Sequence, residues 1–518
     1  MRRTLYLMAV VCLGATVLSA QKSGLREIQL KVLRDKIAGG WAGQMIGVSY
    51  GAPTEFRSNS KILEGELPKW TPDRVNNSLG QDDLYVDMTF AKVLDDKGLN
   101  ATTEDFGALF REAKYGLWHA NLAARRNLKR GVPAAKAGMP EFNAHAMDID
   151  FQIEADFIGL MAPGLPQWGN EMAWRAGRVM NYGDGIYGGM FVSGMYSAAF
   201  FESDPHKLVE AGLAVLPVKS PYAMLIRDLL AWHKQYPADW RKVWKLVEDK
   251  WNTNDPCPDG ALKPFNIDAK LNGAYIALGL LFGDGDFGKT IEISTRSGQD
   301  SDCNPASAAG ILGVALGFSG IPEEWKGGIP AIAEKKFAYT DYSFNSIVNS
   351  TYERTLKLIQ ATDGRIDGEM ALIKAQTAKP AKYEEWNYGK VAERIGAAEP
   401  RWTFKGEWKT AEKRATRTAS VKGAEASVKF SGTGAIIVGP YLPGGGKSDV
   451  YLDGKLHRTV DSNSDEKSAK GGEAVWHAFG LKNGEHTVRL VLRGKPAFDG
   501  RGADPGTEVA IDDLVVFR

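Results

Sequence analysis

Hydrophobic positions between residues 25 and 375 recur mainly with a helical period. Leu25, Ile28, Val32, Leu33 and Ile37 follow the spacing of one helix face. The next stretch, GGWAGQMIGVSYG, places Gly39, Gly43, Gly47 and Gly51 four apart. On a helix these stack into one stripe without side chains, which lets another backbone approach closely. Glycine costs about 1 kcal/mol relative to alanine inside a helix, so four in register need a packing or functional reason. A second small-residue face, Ala309, Gly313 and Gly317, repeats the spacing in NPASAAGILGVALG. Further helices are predicted over 103–117, 171–180, 190–202, 204–214, 222–236 and 240–251. The reading for 25–375 is an all-α bundle with long loops.

The pattern changes near Pro380. Residues 376–400 carry no clean period and read as a linker. After Trp402, the runs ASVKFSG, GAIIVGP, SDVYLDG, HTVRLVL and EVAIDDLVVF alternate over short lengths between turn residues. Asp453-Gly454 and Asn483-Gly484 are hairpin-type dipeptides. Together they predict an antiparallel β-sandwich over 401–518. No internal repeat or low-complexity tract interrupts either half.

The chain opens differently. Arg2 and Arg3 precede an apolar run over 5–18 and a small-residue cleavage site at Ser19-Ala20, the layout of an export signal over 1–20. The run is too short to span a bilayer comfortably. The expectation is an exported chain, periplasmic or secreted, without a membrane span.

Charge removes one class of partner. There are 64 basic against 63 acidic residues, and loss of Arg2 and Arg3 with the leader leaves one more acid than base. No basic excess exists to neutralise nucleic-acid phosphates. Seven histidines and three cysteines leave little room for a zinc-cluster protein. Without the leader only Cys257 and Cys303 remain. An oxidising compartment permits a disulfide between them, but sequence does not decide it.

Several acidic groups are candidates for chemistry. In GQDSDCNP, Asp300 and Asp302 alternate across Ser301, and Asn304-Pro305 read as a helix start. Two carboxylates converging there form a hard oxygen site suited to Mg²⁺ or Ca²⁺; alternatively they only complement the positive end of the helix. In SLGQDDLYVDMTF, Asp82, Asp83 and Asp87 sit among Leu84, Val86, Met88 and Phe90. Carboxylates so placed repel one another and resist burial unless a cation is near; a capped surface helix is the alternative. Glu55, in YGAPTEF, follows the glycine stripe. In MDIDFQIEADF, Asp148, Asp150, Gln152, Glu154 and Asp156 alternate, as they would to hold a polyhydroxylated ligand or to form a solvated strand face. NYGDGIYGG reads as a turn-rich loop in which Asn181, Asp184 and Tyr187 line a pocket, or whose glycines only serve the turn. No phosphate-binding loop, G-x-S-x-G or H-E-x-x-H motif is present.

GGWAGQMIGVSYGAPTEF, Asp82-Asp83, YGDGIYGGMF, GQDSDCNPASAAGILGVALG and GIPEEW, taken in this order, resemble the ADP-ribosylglycohydrolase family, which includes dinitrogenase-reductase-activating glycohydrolase. The resemblance implies an all-α fold, two Mg²⁺ ions (with Mn²⁺ or Ca²⁺ as alternatives) and hydrolysis at the ribose C1″ of ADP-ribosylated groups. It implies metal ligation by Asp82, Asp83, Asp300 and Asp302, and a substrate-facing acid at Glu55. Gln81 and Cys303 stand where the family usually has Thr or Ser. A glutamine oxygen can still ligate a hard cation, whereas a neutral thiol is a poor ligand. On this basis Asp83, Asp302 and Glu55 are the expected catalytic groups. Asp87, Asp150, Gln152, Asn181, Asp184 and Tyr187 are expected to bind substrate.

The C-terminal half, through RWTFKGEW, VYLDGK and GLKNGEHTVRLVL, resembles sandwich modules of exported glycan-degrading enzymes. Trp402, Trp408, Tyr441 and Trp476 either stack on sugar rings or fill the sandwich core. The expected function is an exported, metal-dependent glycohydrolase acting on an ADP-ribosyl-type N- or O-glycoside or a related glycan. The alternative, favoured by Gln81 and Cys303, is a non-catalytic relative that binds metal or sugar.

Overall fold

The glycine stripe meets the second small-residue stripe. Helix Leu30–Gly51 runs antiparallel to helix Cys303–Leu316. A Cβ added to Gly39 would stand 2.2 Å from the Gly313 oxygen, and one on Gly43 2.1 Å from that of Ala309. Gly47 meets Pro305 at 2.2 Å and Gly51 meets Ser301 at 2.1 Å. Four residues forward on one helix match four residues back on the other, so two backbones touch along about three turns. Any side chain at these positions would drive the helices apart.

The computed structural model describes residues 24–252, 255–411, 415–496 and 506–518; the leader over 1–20 lies outside the described residues. Around the helix pair stand Asp82–Lys97, Asp184–Ala199, Ala269–Gly283 and Phe344–Ala361, among other helices. Their shared core buries Trp41, Phe90, Tyr187, Tyr196 and Tyr275. Helix Trp240–Trp251 has the expected bounds.

Two local expectations fail here. Leu25–Gln29 is a strand, paired antiparallel with Met370–Lys374, which in turn pairs with Arg365–Asp367. Only Ile28 of its five residues is buried, so backbone pairing with the returning chain outweighs a weak helical period. NYGDGIYGG is largely helical as well. Gly183 makes the turn at φ +54°, and the helix begins at Asp184, taking in Tyr187, Gly188 and Gly189.

The C-terminal sandwich has a five-stranded sheet in the order Lys455–Asp461, Gly446–Leu452, Gly484–Pro496, Glu425–Gly432, Trp402–Lys405. It faces a four-stranded sheet in the order Lys470–Ala478, Gly434–Tyr441, Asp513–Phe517, Val391–Gly396. Val391–Gly396 lies within the expected linker, so the sandwich begins before residue 401. Asp453 and Gly454, at φ +51° and +78°, form the expected hairpin turn. Asn483-Gly484 instead joins strands of different sheets. Trp402, Tyr441 and Trp476 are buried, and half-buried Trp408 packs on the same core as Trp402 and Trp476. Trp402 and Trp476 thus fill the sandwich interior, and Tyr441 packs at the junction with the helical half beneath Arg126.

The two halves meet through charge. Arg125 pairs with Glu466 at 3.0 Å, Arg130 with Asp461 at 2.6 Å and with Asp465 at 3.2 Å. Arg126 lies 3.5 Å from the Tyr441 ring centroid and pairs with Asp461 at 3.1 Å. Among the described residues, no helix is long and apolar enough to cross a membrane.

Candidate active site

The close helix pair sets the register of the site. Gly51 lies against Ser301, so the turn after the first helix faces the loop before the second. Thr54 Oγ1 and Ser301 Oγ are 2.8 Å apart, and the Phe56 amide donates to the Gln299 oxygen at 3.1 Å. This pins Glu55 beside Asp300 and Asp302, whose carboxylates offer oxygens within 4.8 Å of one another. The N-terminus of Asp82–Lys97 enters from the side. There Asp83, Asp302 and Cys303 also bring ligand atoms within 4.8 Å. The Cys303 thiol donates to Asp83 Oδ2 at 3.3 Å and lies 3.8 Å from Asp302 Oδ1.

The electrostatics are those of like charges held together. Burial, then Asp82 and Asp302, push Asp83 well above the carboxylate range. Burial, then Asp302 and Glu55, do the same to Asp300. Burial raises Asp302 to about 6. Desolvation, then Asp302 and Asp82, raise Glu55 to about 8, although the residue stands exposed on the rim. Asp82 also shifts upward through burial.

These residues fit a hard divalent cation. Asp83 Oδ1 and Asp300 Oδ1 are buried with no hydrogen-bond partner among the described residues. Buried carboxylate oxygens without partners cost free energy that a cation would recover. The oxygen donor set suits Mg²⁺. Cys303 is the exception: burial, then Asp300, Asp302 and Asp83, push its thiol up, so it stays neutral and acts as a donor to Asp83. Gln81 precedes the helix, and its amide nitrogen donates to Asn77 at 2.7 Å.

The residues expected to bind substrate are buried, and most of them are hydrogen-bonded within the helical half. Asp87 is fully buried, and its Oδ1 accepts the Phe157 amide at 3.2 Å. Asp150 accepts the amides of Ala120 and Asn121 and so caps helix His119–Lys129. Gln152 bonds to the Tyr222 hydroxyl at 2.7 Å. Asn181 donates to the oxygens of Ala146 and Asp148. The Tyr187 hydroxyl bonds to the backbone of Lys382 and Glu384. Asp184 is buried, and burial holds its carboxyl at about 7 despite Lys270. The alternation over 148–156 is neither a strand nor a solvated face. It folds into two short helices, Asp150–Ile153 and Asp156–Met161, with every acidic member buried. Asp156 accepts from the Tyr196 hydroxyl at 2.7 Å.

Cys257 and Cys303 are both free thiols in one apolar cluster. Sequence reading passed over one further group, His119, His145, Asp148 and Cys257, which converge beside Phe265. Their separation along the chain gave no motif to find.

A family model described as ADP-ribosylglycohydrolase matches residues 30–357. The A type blood alpha-D-galactosamine galactosaminidase of Flavonifractor plautii is 30% identical over 145 residues, covering 27% of this chain. The match spans 12% of that relative's length, a small part of it. A solved ADP-ribosylglycohydrolase-related protein complex is similar over 63% of this chain and 99% of its own, at 17% identity and a TM-score of 0.38. The carbohydrate-binding module CBM36 in complex with calcium and xylotriose is similar over 24% of this chain and 100% of its own, at 11% identity and a TM-score of 0.17.

Proposed function

The chain belongs to the ADP-ribosylglycohydrolase family, and from that premise we propose that its carboxylate cleft hydrolyses a glycosidic bond of the ADP-ribosyl type with Mg²⁺ bound. The observation that carries this is the convergence of Glu55, Asp83, Asp300 and Asp302, with buried oxygens left unpartnered. Asp82, Asp83, Asp300 and Asp302 would hold the ions. When bound, Mg²⁺ acidifies a water and orients sugar hydroxyls.

The chain's own groups divide the remaining work. Asp302, which stands between Glu55 and Asp300 on one side and Asp83 and Cys303 on the other, is the proton acceptor for the attacking water. Glu55 is the outermost carboxyl of the cluster and faces arriving substrate, where it can pass a proton to the leaving group. The transition state of such a cleavage is oxocarbenium-like. The Cys303 thiol fixes one Asp83 oxygen and orients that carboxylate.

We read 1–20 as an export leader, which places this hydrolysis outside the cytosol. The sandwich serves as a brace for the helical half through the Arg125, Arg126 and Arg130 pairs. Release of ADP-ribose from ADP-ribosyl-arginine, with Mg²⁺ and with EDTA, tests the reading beside a panel of aryl glycosides. Mg²⁺-dependent release of ADP-ribose supports it. Turnover of a glycoside alone would move the substrate to glycans. Silence on both would favour a binding protein, the role that a neutral thiol between Asp83 and Asp302 favours.

A further inference from the structure

We propose that His119, His145, Asp148 and Cys257 form a second metal site, separate from the carboxylate cleft, which takes a zinc-like transition-metal ion. The donors gather from three places in the fold. His119 opens helix His119–Lys129, His145 and Asp148 lie in the loop before Asp150–Ile153, and Cys257 follows Trp240–Trp251. Asp148 Oδ2 lies 2.9 Å from His145 Nδ1 and 3.8 Å from His119 Nδ1. Cys257 Sγ lies 3.4 Å from the same His145 Nδ1. One ligand atom from each of the four falls within 4.8 Å of the others. Tetrahedral zinc with imidazole, carboxylate and thiolate ligands separates them by about 3.3–3.6 Å.

The arrangement is not that of a Cys-His-Asp catalytic triad. A triad presents opposite ring nitrogens to nucleophile and acid, whereas here thiol and carboxylate meet the same nitrogen. The opposite one, His145 Nε2, lies 3.5 Å from Glu473 Oε2 on sandwich strand Lys470–Ala478. Neither atom has a hydrogen-bond partner among the described residues, and a closer approach would give the carboxylate support usual for a metal-bound histidine. Asp148 Oδ1 is buried with no hydrogen-bond partner among the described residues. His119 also holds a left-handed backbone at φ +45°, a conformation that a non-glycine residue rarely adopts. Binding of the ion releases the Cys257 thiol proton to solvent, and the resulting thiolate and the carboxylate supply two negative charges against a divalent ion, so the filled site is neutral. The thiolate and two imidazoles select zinc over magnesium. Four protein ligands make the site closed and structural, and Glu473 ties it to the sandwich.

The test is metal analysis of the full chain after dialysis in excess Mg²⁺, followed by Co²⁺ substitution. Expected is one zinc per chain, and a cobalt form with a near-ultraviolet thiolate band and strong visible bands. Cys257→Ser abolishes the thiolate band, Cys303→Ser keeps it, and Asp300→Asn keeps the zinc. Half-exposed His119→Asn, checked for folding by circular dichroism, lowers zinc affinity about tenfold or more. A wild-type chain without zinc, a cobalt spectrum of weak six-coordinate character, or loss of the band in Cys303→Ser in place of Cys257→Ser overturns the proposal.

Discussion

A methyl group on Gly51 would stand 2.1 Å from the carbonyl oxygen of Ser301, so the two backbones meet with no space for a side chain. This contact ends the helix pair and begins the cleft, because Glu55 follows one residue and Asp300 and Asp302 flank the other. Packing and site geometry are therefore one feature.

Gly47→Ala and Gly51→Ala are expected to destabilise the protein by about 3 kcal/mol, the upper range for overpacking. Gly80→Ala, whose added Cβ would meet nothing within 4 Å, serves as the control. Thermal melting of the three variants checks the contrast. Equal melting temperatures would mean that the helix pair tolerates separation.

Stability without metal should fall as pH rises. Carboxyls raised in the folded state bind protons that the unfolded chain has released, so stability is full below their ordinary range near 4 and is lost as pH rises through the folded values. The window runs from about 4 to about 8, set by Asp302 at about 6 and Glu55 at about 8. Added Mg²⁺ should raise the melting temperature more at pH 8 than at pH 5. A Mg²⁺ shift that is equal at both would separate these acids from the metal.

Glu55→Gln and Asp300→Asn should fail differently. Removing the rim acid is expected to lower kcat about 10²–10⁴-fold with Mg²⁺ uptake retained. Asp300→Asn should lose Mg²⁺ uptake as well. Calorimetric Mg²⁺ titration beside steady-state kinetics distinguishes the two.

At the junction of the halves, Asp461 accepts from Arg126 and Arg130, and these cations hold its carboxyl below the usual range against the cost of burial. Asp461→Ala leaves two arginine side chains, largely buried, without that partner and is expected to cost about 3 kcal/mol. The pair's contribution is present above the ordinary aspartate range and lost as pH falls below it. Denaturant unfolding of wild type and variant at pH 7 and pH 3 checks both statements.

Each small-residue stripe was legible in sequence because i, i+4 spacing puts its members on one helix face, and Asp82, Asp83, Asp300, Asp302 and Glu55 stood beside them; that the two stripes meet only the fold shows. Asp453-Gly454 was equally plain, since its turn is local. Strand Leu25–Gln29 was not, because its partner Met370–Lys374 lies at the far end of the helical half. The run from Asp148 to Asp156 misled because period two suggests one open face, while the chain here folds into two short helices that bury its acids against His145, Asn121 and Tyr196. Gln152, Asn181 and Tyr187 are ordinary buried hydrogen-bonding groups, and sequence carries no mark that separates such residues from a pocket lining. His119, His145 and Cys257 escaped notice because only the tertiary fold brings them together.

The most direct test of the account is hydrolysis of ADP-ribosyl-arginine by wild type and Asp302→Asn, each in Mg²⁺ and in EDTA. Activity confined to wild type with Mg²⁺, with both proteins equally folded, is the predicted result. Activity of wild type that persists in EDTA, or an Asp302→Asn protein as active as wild type, would contradict it.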